Sequence, residues 1–254
     1  MPVILVEKQT PQITRLTLNR PERRNALTIE LMSELAAAVE TAGADPNQRV
    51  LILRGAGKAF CTGLDLEAAS DSSKAHATAE MVARMLLALA GTRLVTIATV
   101  HGAAVAGGAG IMSACDFVIA AEHTKIGYPE VRRGLVAGLV MTFLRRQLRE
   151  RDLRELLLAS ELIDAKRAQE IGLVNRVVPS GELETTAQRI AAAILQGAPG
   201  AITNSKRLME ELWSSSVADD VAIALRHHME ARESDEAKEG IAAFLEKRPP
   251  KWAG

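Results

Sequence analysis

The stretch Ile13-Thr14-Arg15-Leu16-Thr17-Leu18 alternates apolar and polar side chains at a period of two, the pattern of a strand. Pro11-Gln12 before it suits a turn from an earlier strand over residues 3–7. The period then changes to helical. Leu31, Met32, Leu35 and Val39 share one face of a helix that Thr28 can cap, with Gly43 near its end. The continuous apolar run 50–53 reads as a buried strand closed by Gly55-Ala56-Gly57. A second helical stripe follows, made of Met81, Val82, Met85, Leu86 and Leu89, and then a strand over 94–100. A glycine-rich turn leads to a short helix around 108–115 and a strand over 117–121. Alternating strands and helices imply right-handed crossovers and a largely parallel sheet.

From about Leu139 helical spacing dominates, interrupted by one strand-like run at 173–178. Helices are predicted over 182–195, 201–212, 217–231 and 236–247, the last stopping before Pro249-Pro250. The expectation is therefore an α/β core over residues 1–195 and a helical C-terminal region over 196–254.

The 254 residues are 48% hydrophobic and 24% charged, ordinary for a globular chain with a sizeable core. Lys plus Arg and Asp plus Glu are 31 each, so no overall basic field exists to hold nucleic acid or an anionic membrane. Arg145, Arg146, Arg149, Arg151 and Arg154 are interleaved with Glu150, Asp152 and Glu155, which reads as a salt-bridged surface helix. Cys61 and Cys115 form neither a disulfide framework nor a CxxC site and are expected to be small apolar fillers. His227-His228 has Glu230 nearby but no further ligand, so no metal is expected. The apolar run at the N-terminus is too short for a signal peptide, and residues 94–114 are broken by His101 and glycines. A cytoplasmic protein with no membrane span is expected.

Four segments carry candidate chemistry: 18–27 (LNRPERRNAL), 57–66 (GKAFCTGLDL), 100–110 (VHGAAVAGGAG) and 126–130 (IGYPE). Taken singly, each has a bland reading. Glycine-rich turns between strands and helices serve tight packing, and Pro-Glu is an ordinary helix start. Neither GxGxxG nor GxxxxGK[ST] is present, so phosphate loops of those kinds are not supported.

In this order and spacing, together with Cys115-Asp116, Gly172-Leu173-Val174 and the ending 239–249 (EGIAAFLEKRP), the segments resemble the crotonase (enoyl-CoA hydratase/isomerase) family from Leu16 to the C-terminus. The resemblance implies a ClpP/crotonase-like spiral of repeated ββα units with a helical C-terminal trimerisation region, assembled as a homotrimer or a dimer of trimers. It implies an acyl-CoA thioester as substrate, with no cofactor beyond the CoA the substrate carries. The backbone N–H groups of Leu64 and Gly107 would stabilise negative charge on the thioester oxygen, and Glu130 would move the proton. Gly63, Asp65, Leu66 and Gly110 would surround the acyl thioester, while Arg24, Ala26, Phe244 and Lys247 would hold the adenine and 3′-phosphate of CoA.

One position departs from the family pattern. Two-glutamate hydratases carry their other glutamate three residues beyond the oxyanion-hole glycine, where this chain has Gly110. A single glutamate is what the family's double-bond isomerases use. Hydratases resembling the methylglutaconyl type also show glycine there, paired with a run like Glu130-Val131-Arg132-Arg133-Gly134-Leu135, which keeps hydratase ahead of isomerase. Gly138 stands where dienoyl-CoA isomerases and chlorobenzoyl-CoA dehalogenases place an aspartate. An idle CoA-ester-binding protein of the same fold is the non-enzymatic alternative. RNA binding and serine hydrolysis are disfavoured by the mixed charges and by the lack of a matching Ser, His and Asp set.

Overall fold

The computed structural model describes residues 2–65 and 75–253. Its larger sheet contains β1 (Ile4–Thr10), β2 (Ile13–Leu18), β3 (Val50–Gly55), β4 (Val95–Val100), β6 (Phe117–Ala121) and β9 (Arg176–Val178), in the order β1-β2-β3-β4-β6-β9. Only β1 and β2 run antiparallel; every other neighbouring pair is parallel. A smaller sheet joins β5 (Ala103–Val105), β7 (Lys125–Gly127) and β8 (Ile163–Asp164).

Parallel strands are buried on both faces, and period-two alternation sorts their side chains between two cores. Leu51, Leu53, Ala98, Val100, Val118 and Ala120 face the main core. That core is closed by α1 (Ile29–Ala44) and α2 (Ala75–Gly91). Val50, Ile52, Ile97 and Ile119 face the other side, where Ala187, Ile190 and Ala191 of α7 (Leu183–Leu195) cover them. Helix α1 begins where the sequence places its cap, with Thr28 Oγ1 accepting from Leu31 N.

The chain turns from β4 to β5 to α3 (Gly107–Ser113), then from β6 to β7 and on to α4 (Gly138–Gln147). In each turn the first strand joins the larger sheet and the second the smaller one, which is the ββα spiral expected. The elements beyond α4 are α5 (Glu150–Arg154), α6 (Ala165–Glu170), α8 (Pro199–Glu211), α9 (Val217–Glu233) and α10 (Asp235–Leu245). Helix α9 lies on α2 and α4, while α10 lies on α9 and on the 3-10 turn Pro129–Arg133.

Two sequence expectations change here. The strand-like run 173–178 shortens to β9, because the amides of Leu173 and Val174 both donate to Ala168 O and wrap the chain around the end of α6. The glycine-rich turn after residue 100 contains a strand, β5, whose three small residues carry no strand signal of their own. Among the described residues, no helix is long and apolar enough to cross a membrane.

Candidate active site

The 18–27 segment is organised by Asn25, a wholly buried residue at φ 54°. Its Oδ1 accepts from Arg20 N at 2.8 Å, and its Nδ2 donates to Ala56 O, Ala59 O and Phe60 O at 2.9, 2.9 and 3.0 Å. Asparagine tolerates the left-handed region better than most residues. Asn25→Ala is expected to cost about 3 kcal/mol, since buried carbonyls lose their donor and the positive φ loses its tolerant residue. Chemical denaturation measures this; a loss under about 1 kcal/mol would contradict it.

This hub presents Leu27 to the strand-like segment 61–65. Leu27 N donates to Gly63 O at 2.8 Å and Asp65 N donates to Leu27 O at 2.9 Å. In such a parallel bridge the residue between the two bonded groups turns its own N–H the other way, so the Leu64 amide faces away from Leu27. On the opposite edge, Cys61 N donates to Ala103 O at 3.2 Å and Val105 N to Cys61 O at 3.0 Å.

The two backbones approach so closely that glycine is obligatory at the crossing. A Cβ on Gly63, at φ 86°, would lie 2.9 Å from Ala106 Cβ and 3.0 Å from Val105 O; one on Gly108 would lie 2.2 Å from Cys61 O. Ala106 is held at φ 52°, ψ −126°, a conformation that costs a residue with a Cβ about 1–3 kcal/mol. Its amide donates to Gly127 O at 2.8 Å, tying the start of α3 to β7. Gly107 is the first residue of α3, so its N–H has no partner within the helix. The Leu64 and Gly107 amides form no hydrogen bond within the described chain, and both residues line one cavity of about 700 Å³.

Glu130 lines the same cavity from the 3-10 turn that follows β7. Tyr128, fully buried with its hydroxyl 2.9 Å from Ser113 Oγ, anchors the start of that turn on α3. Gly134, at φ 67°, ends it, and Leu135 N donates to Glu130 O at 3.1 Å. Glu130 Oε2 is enclosed and accepts no hydrogen bond. Burial pushes the carboxyl up to about 7, against the opposing pulls of its own backbone N–H and the Arg133 charge.

The expected residues separate by their place relative to the cavity. Leu64, Gly107, Glu130, Asp65, Arg24, Ala26 and Phe244 meet around the cavity. Asp65 serves there as a buried partner for Arg20 at 3.1 Å and Arg23 at 3.3 Å. Gly63 stands behind the wall, where its lack of a side chain lets the two backbones meet.

The structure does not bring Gly110 and Lys247 to the cavity wall. Gly110 is buried one turn into α3, where an added Cβ would lie 2.4 Å from Val140 Cγ1; Val140 itself lines the cavity. Lys247 lies past the end of α10 on the exposed surface. Leu66 is outside the described residues. The anchoring of Glu130 by Tyr128 and Ser113, and the presence of Arg133 and His228 on the wall, were not legible, because no local pattern announces which distant residues share a cavity.

The remaining titratable candidates are engaged elsewhere. His101 Nε2 donates to Gly57 O at 3.0 Å. Burial pushes the Cys61 and Cys115 thiols up to about 12, so neither is a ready thiolate. Arg146, Arg149 and Arg154 are each paired with an acid.

The family model described as enoyl-CoA hydratase/isomerase matches residues 8–254. Among curated relatives, the enoyl-CoA hydratase EchA19 of Mycobacterium tuberculosis is 36% identical over 259 residues, covering 99% of this chain and 96% of that protein. The mevalonyl-coenzyme A hydratase of Aspergillus fumigatus is 34% identical over 254 residues, covering 98% and 94%. Among solved structures, an enoyl-CoA hydratase from Mycobacterium avium superposes with a TM-score of 0.87 at 31% identity, covering 99% of each chain.

Proposed function

The chain belongs to the enoyl-CoA hydratase/isomerase family, and from that premise we propose that it adds water to a 2-enoyl-CoA thioester using Glu130 as its single proton carrier. The observation that carries this reading is the enclosed, unpartnered Glu130 oxygen in the same cavity as two unengaged backbone amides. The Glu130 carboxylate takes a proton from water as the water oxygen bonds to the β carbon. The π electrons move onto the thioester oxygen, where Leu64 N–H and Gly107 N–H stabilise the charge. The protonated Glu130 then returns its proton to the α carbon, so one water is added and the carboxylate is restored. No cofactor takes part. A carboxyl near 7 suits both halves of this task, since it accepts and releases a proton with similar ease at neutral pH.

No other carboxylate on the described wall is placed to share the work. Asp65 is held by two arginines, and Glu22 belongs to the exposed 3-10 turn Pro21–Arg23. Arg24 and Phe244 at the cavity support a CoA site at this mouth, with Ala26 beside them and Lys247 beyond the wall. A branched enoyl group is included in the proposal, in line with the relative named for mevalonyl-coenzyme A.

Self-assembly as a trimer or a pair of trimers in the cytoplasm completes the reading. Helix α8 buries none of its residues within the chain, and Leu208, Met209 and Leu212 are exposed on or beside it, an apolar surface that another copy would cover.

Isomerisation is the second reading, favoured by the single observation that Gly110 has no room for a side chain. One base can carry a proton from the γ to the α carbon with no second carboxylate. Incubation with a panel of enoyl-CoA esters decides the matter: a mass gain of one water supports hydration, an unchanged mass with a moved double bond supports isomerisation, and no turnover leaves an idle CoA-ester binder.

The hydration rate is expected to depend on pH through Glu130. Only its ionised form can take the proton from water, so kcat/KM should fall as pH drops through about 7. A profile flat between about pH 5.5 and 8.5 would remove Glu130 as the base.

A further inference from the structure

Two buried polar atoms lie without partners on one short turn: Glu130 Oε2 and Arg133 Nε. In a 3-10 helix, residues three apart stand one above the other. Both side chains line the catalytic cavity. A carboxylate and a guanidinium so placed would ordinarily close into a charge-assisted pair. Here Oε2 accepts nothing and Nε donates nothing.

Helix α10 helps to hold the guanidinium back. This helix meets the 129–133 turn backbone to backbone at two glycines. A Cβ on Gly134 would lie 2.4 Å from Glu236 C, and a Cβ on Gly240 would lie 2.5 Å from Arg133 C. One turn beyond Gly240, the ring of Phe244 sits against the Arg133 guanidinium, with 4.4 Å from its central carbon to the ring centroid. The Arg133 backbone is thus fixed by close packing, and its guanidinium by the aromatic face and by Nη1, which donates to Pro129 O at 3.5 Å.

We propose that Arg133, held on Phe244 by helix α10, is a positioning residue that keeps a positive charge beside Glu130 without pairing with it. This rests on the reading of Glu130 as the proton carrier. A direct ion pair would tie up the carboxylate and would weaken the base. With no cation at all, a carboxyl in this enclosed site would stay protonated at neutral pH. A guanidinium stacked nearby serves both needs.

The other charged groups around the site are accounted for. Tyr128 is neutral and bonded to Ser113, and Asp65 is balanced by Arg20 and Arg23. Arg132, on the same turn, donates to Ala159 O. From α9, His228 places Nδ1 against Val136 O and burial favours its neutral form, while Arg232 is buried one turn further on. On α10, Glu239 is tied to Arg248 and Glu236 meets the turn through its backbone. Glu22 and Arg24 lie at the mouth. Among the described residues, Arg133 is the cation that shares both the turn and the cavity wall with Glu130.

The test titrates that carboxyl directly in the ligand-free protein by pH-difference infrared spectroscopy, with E130Q assigning the band. R133M and R133Q should move the midpoint upward by about one pH unit or more, and R133K should leave it near the wild-type value. The acidic limb of the hydration rate should move with it. R133M and R133Q would then be several-fold slower than wild type at about pH 6.5 and close to it at about pH 9. Melting curves identify a variant that has lost its fold, and two neutral replacements keep the test usable if one fails. Unmoved midpoints in R133M and R133Q, or an equal shift in R133K, would overturn the proposal. A shifted carboxyl in a protein that turns over no enoyl-CoA would instead uphold the electrostatic role and sink the hydratase reading.

Discussion

Glu130→Gln is expected to lower enoyl-CoA turnover by about 10³-fold or more while leaving the affinity for a saturated acyl-CoA almost unchanged. Glutamine keeps the shape of the side chain but can neither take a proton from water nor return one to carbon. The amides of Leu64 and Gly107, proposed to hold the thioester oxygen, are untouched. The same replacement should make the protein more stable at alkaline pH. Burial holds the carboxyl at about 7 in the folded chain, above its ordinary value of 4.5, so folding favours its protonated form. That preference costs nothing below the unfolded value, grows as pH rises through the interval between the two, and reaches about 3 kcal/mol above the folded value. Glutamine never ionises, so the variant should melt several degrees above wild type at about pH 8.5 and close to it at about pH 4.5. Stopped-assay turnover, titration calorimetry with the saturated ester, and melting at the two pH values read the three effects separately. Undiminished turnover would remove Glu130 from the chemistry, and equal melting at both pH values would mean that burial does not raise its carboxyl.

Where the sequence was informative, a short-range physical rule was at work. The cap at Thr28 needs only its own hydroxyl and the amide three residues on, and it forms as expected. The apolar run 50–53 reads as a buried strand because a parallel strand covered on both faces can hide every side chain, and β3 does so. Glycine-rich turns imply tight packing, and the structure displays it at Gly63 and Gly108, where segments 61–65 and 103–108 meet. What escaped depends on contacts far apart in the chain. Helix α6 has no apolar stripe long enough to announce it. Strands β5 and β7 exist because Ala106 and Lys125 amides find Gly127 O and Gly102 O across a turn, not because their residues favour strands. In the sequence Arg133 is only part of the run 130–135, and the arrival of Phe244, more than a hundred residues later, gives it a fixed position. In the sequence Asn25 is only one residue of a motif; its four hydrogen bonds show that its work is to fold the loop that places Leu27.

The glycine at position 110 offers the most direct way to ask whether one carboxylate is a choice of this fold or an accident of sequence. Gly110→Glu alone is expected to destabilise the protein by about 3–5 kcal/mol, combining an overpacked contact with a buried polar group lacking partners. The new Cβ would lie 2.4 Å from Val140 Cγ1, inside a core where Gly110 is fully enclosed, with Leu86 Cδ2 at 3.8 Å on the other side. The melting temperature should fall by roughly 10 °C. Pairing it with Val140→Ala removes the clashing methyl and leaves Val140 Cβ at 3.5 Å, an ordinary contact. Because Val140 lines the cavity, the vacated volume gives the new carboxylate a path toward Glu130. The double variant should therefore melt well above the Gly110→Glu single, with Val140→Ala alone as the reference. Two carboxylates in one enclosed cavity cannot both ionise freely, so they should titrate as a coupled pair, with the acidic limb of hydration moved above its wild-type position near 7. If the single variant melts like wild type, the packing of Val140 on Gly110 is not what excludes a second acid. If the double variant folds but its pH profile is unmoved, the added carboxylate does not reach the space in which Glu130 works.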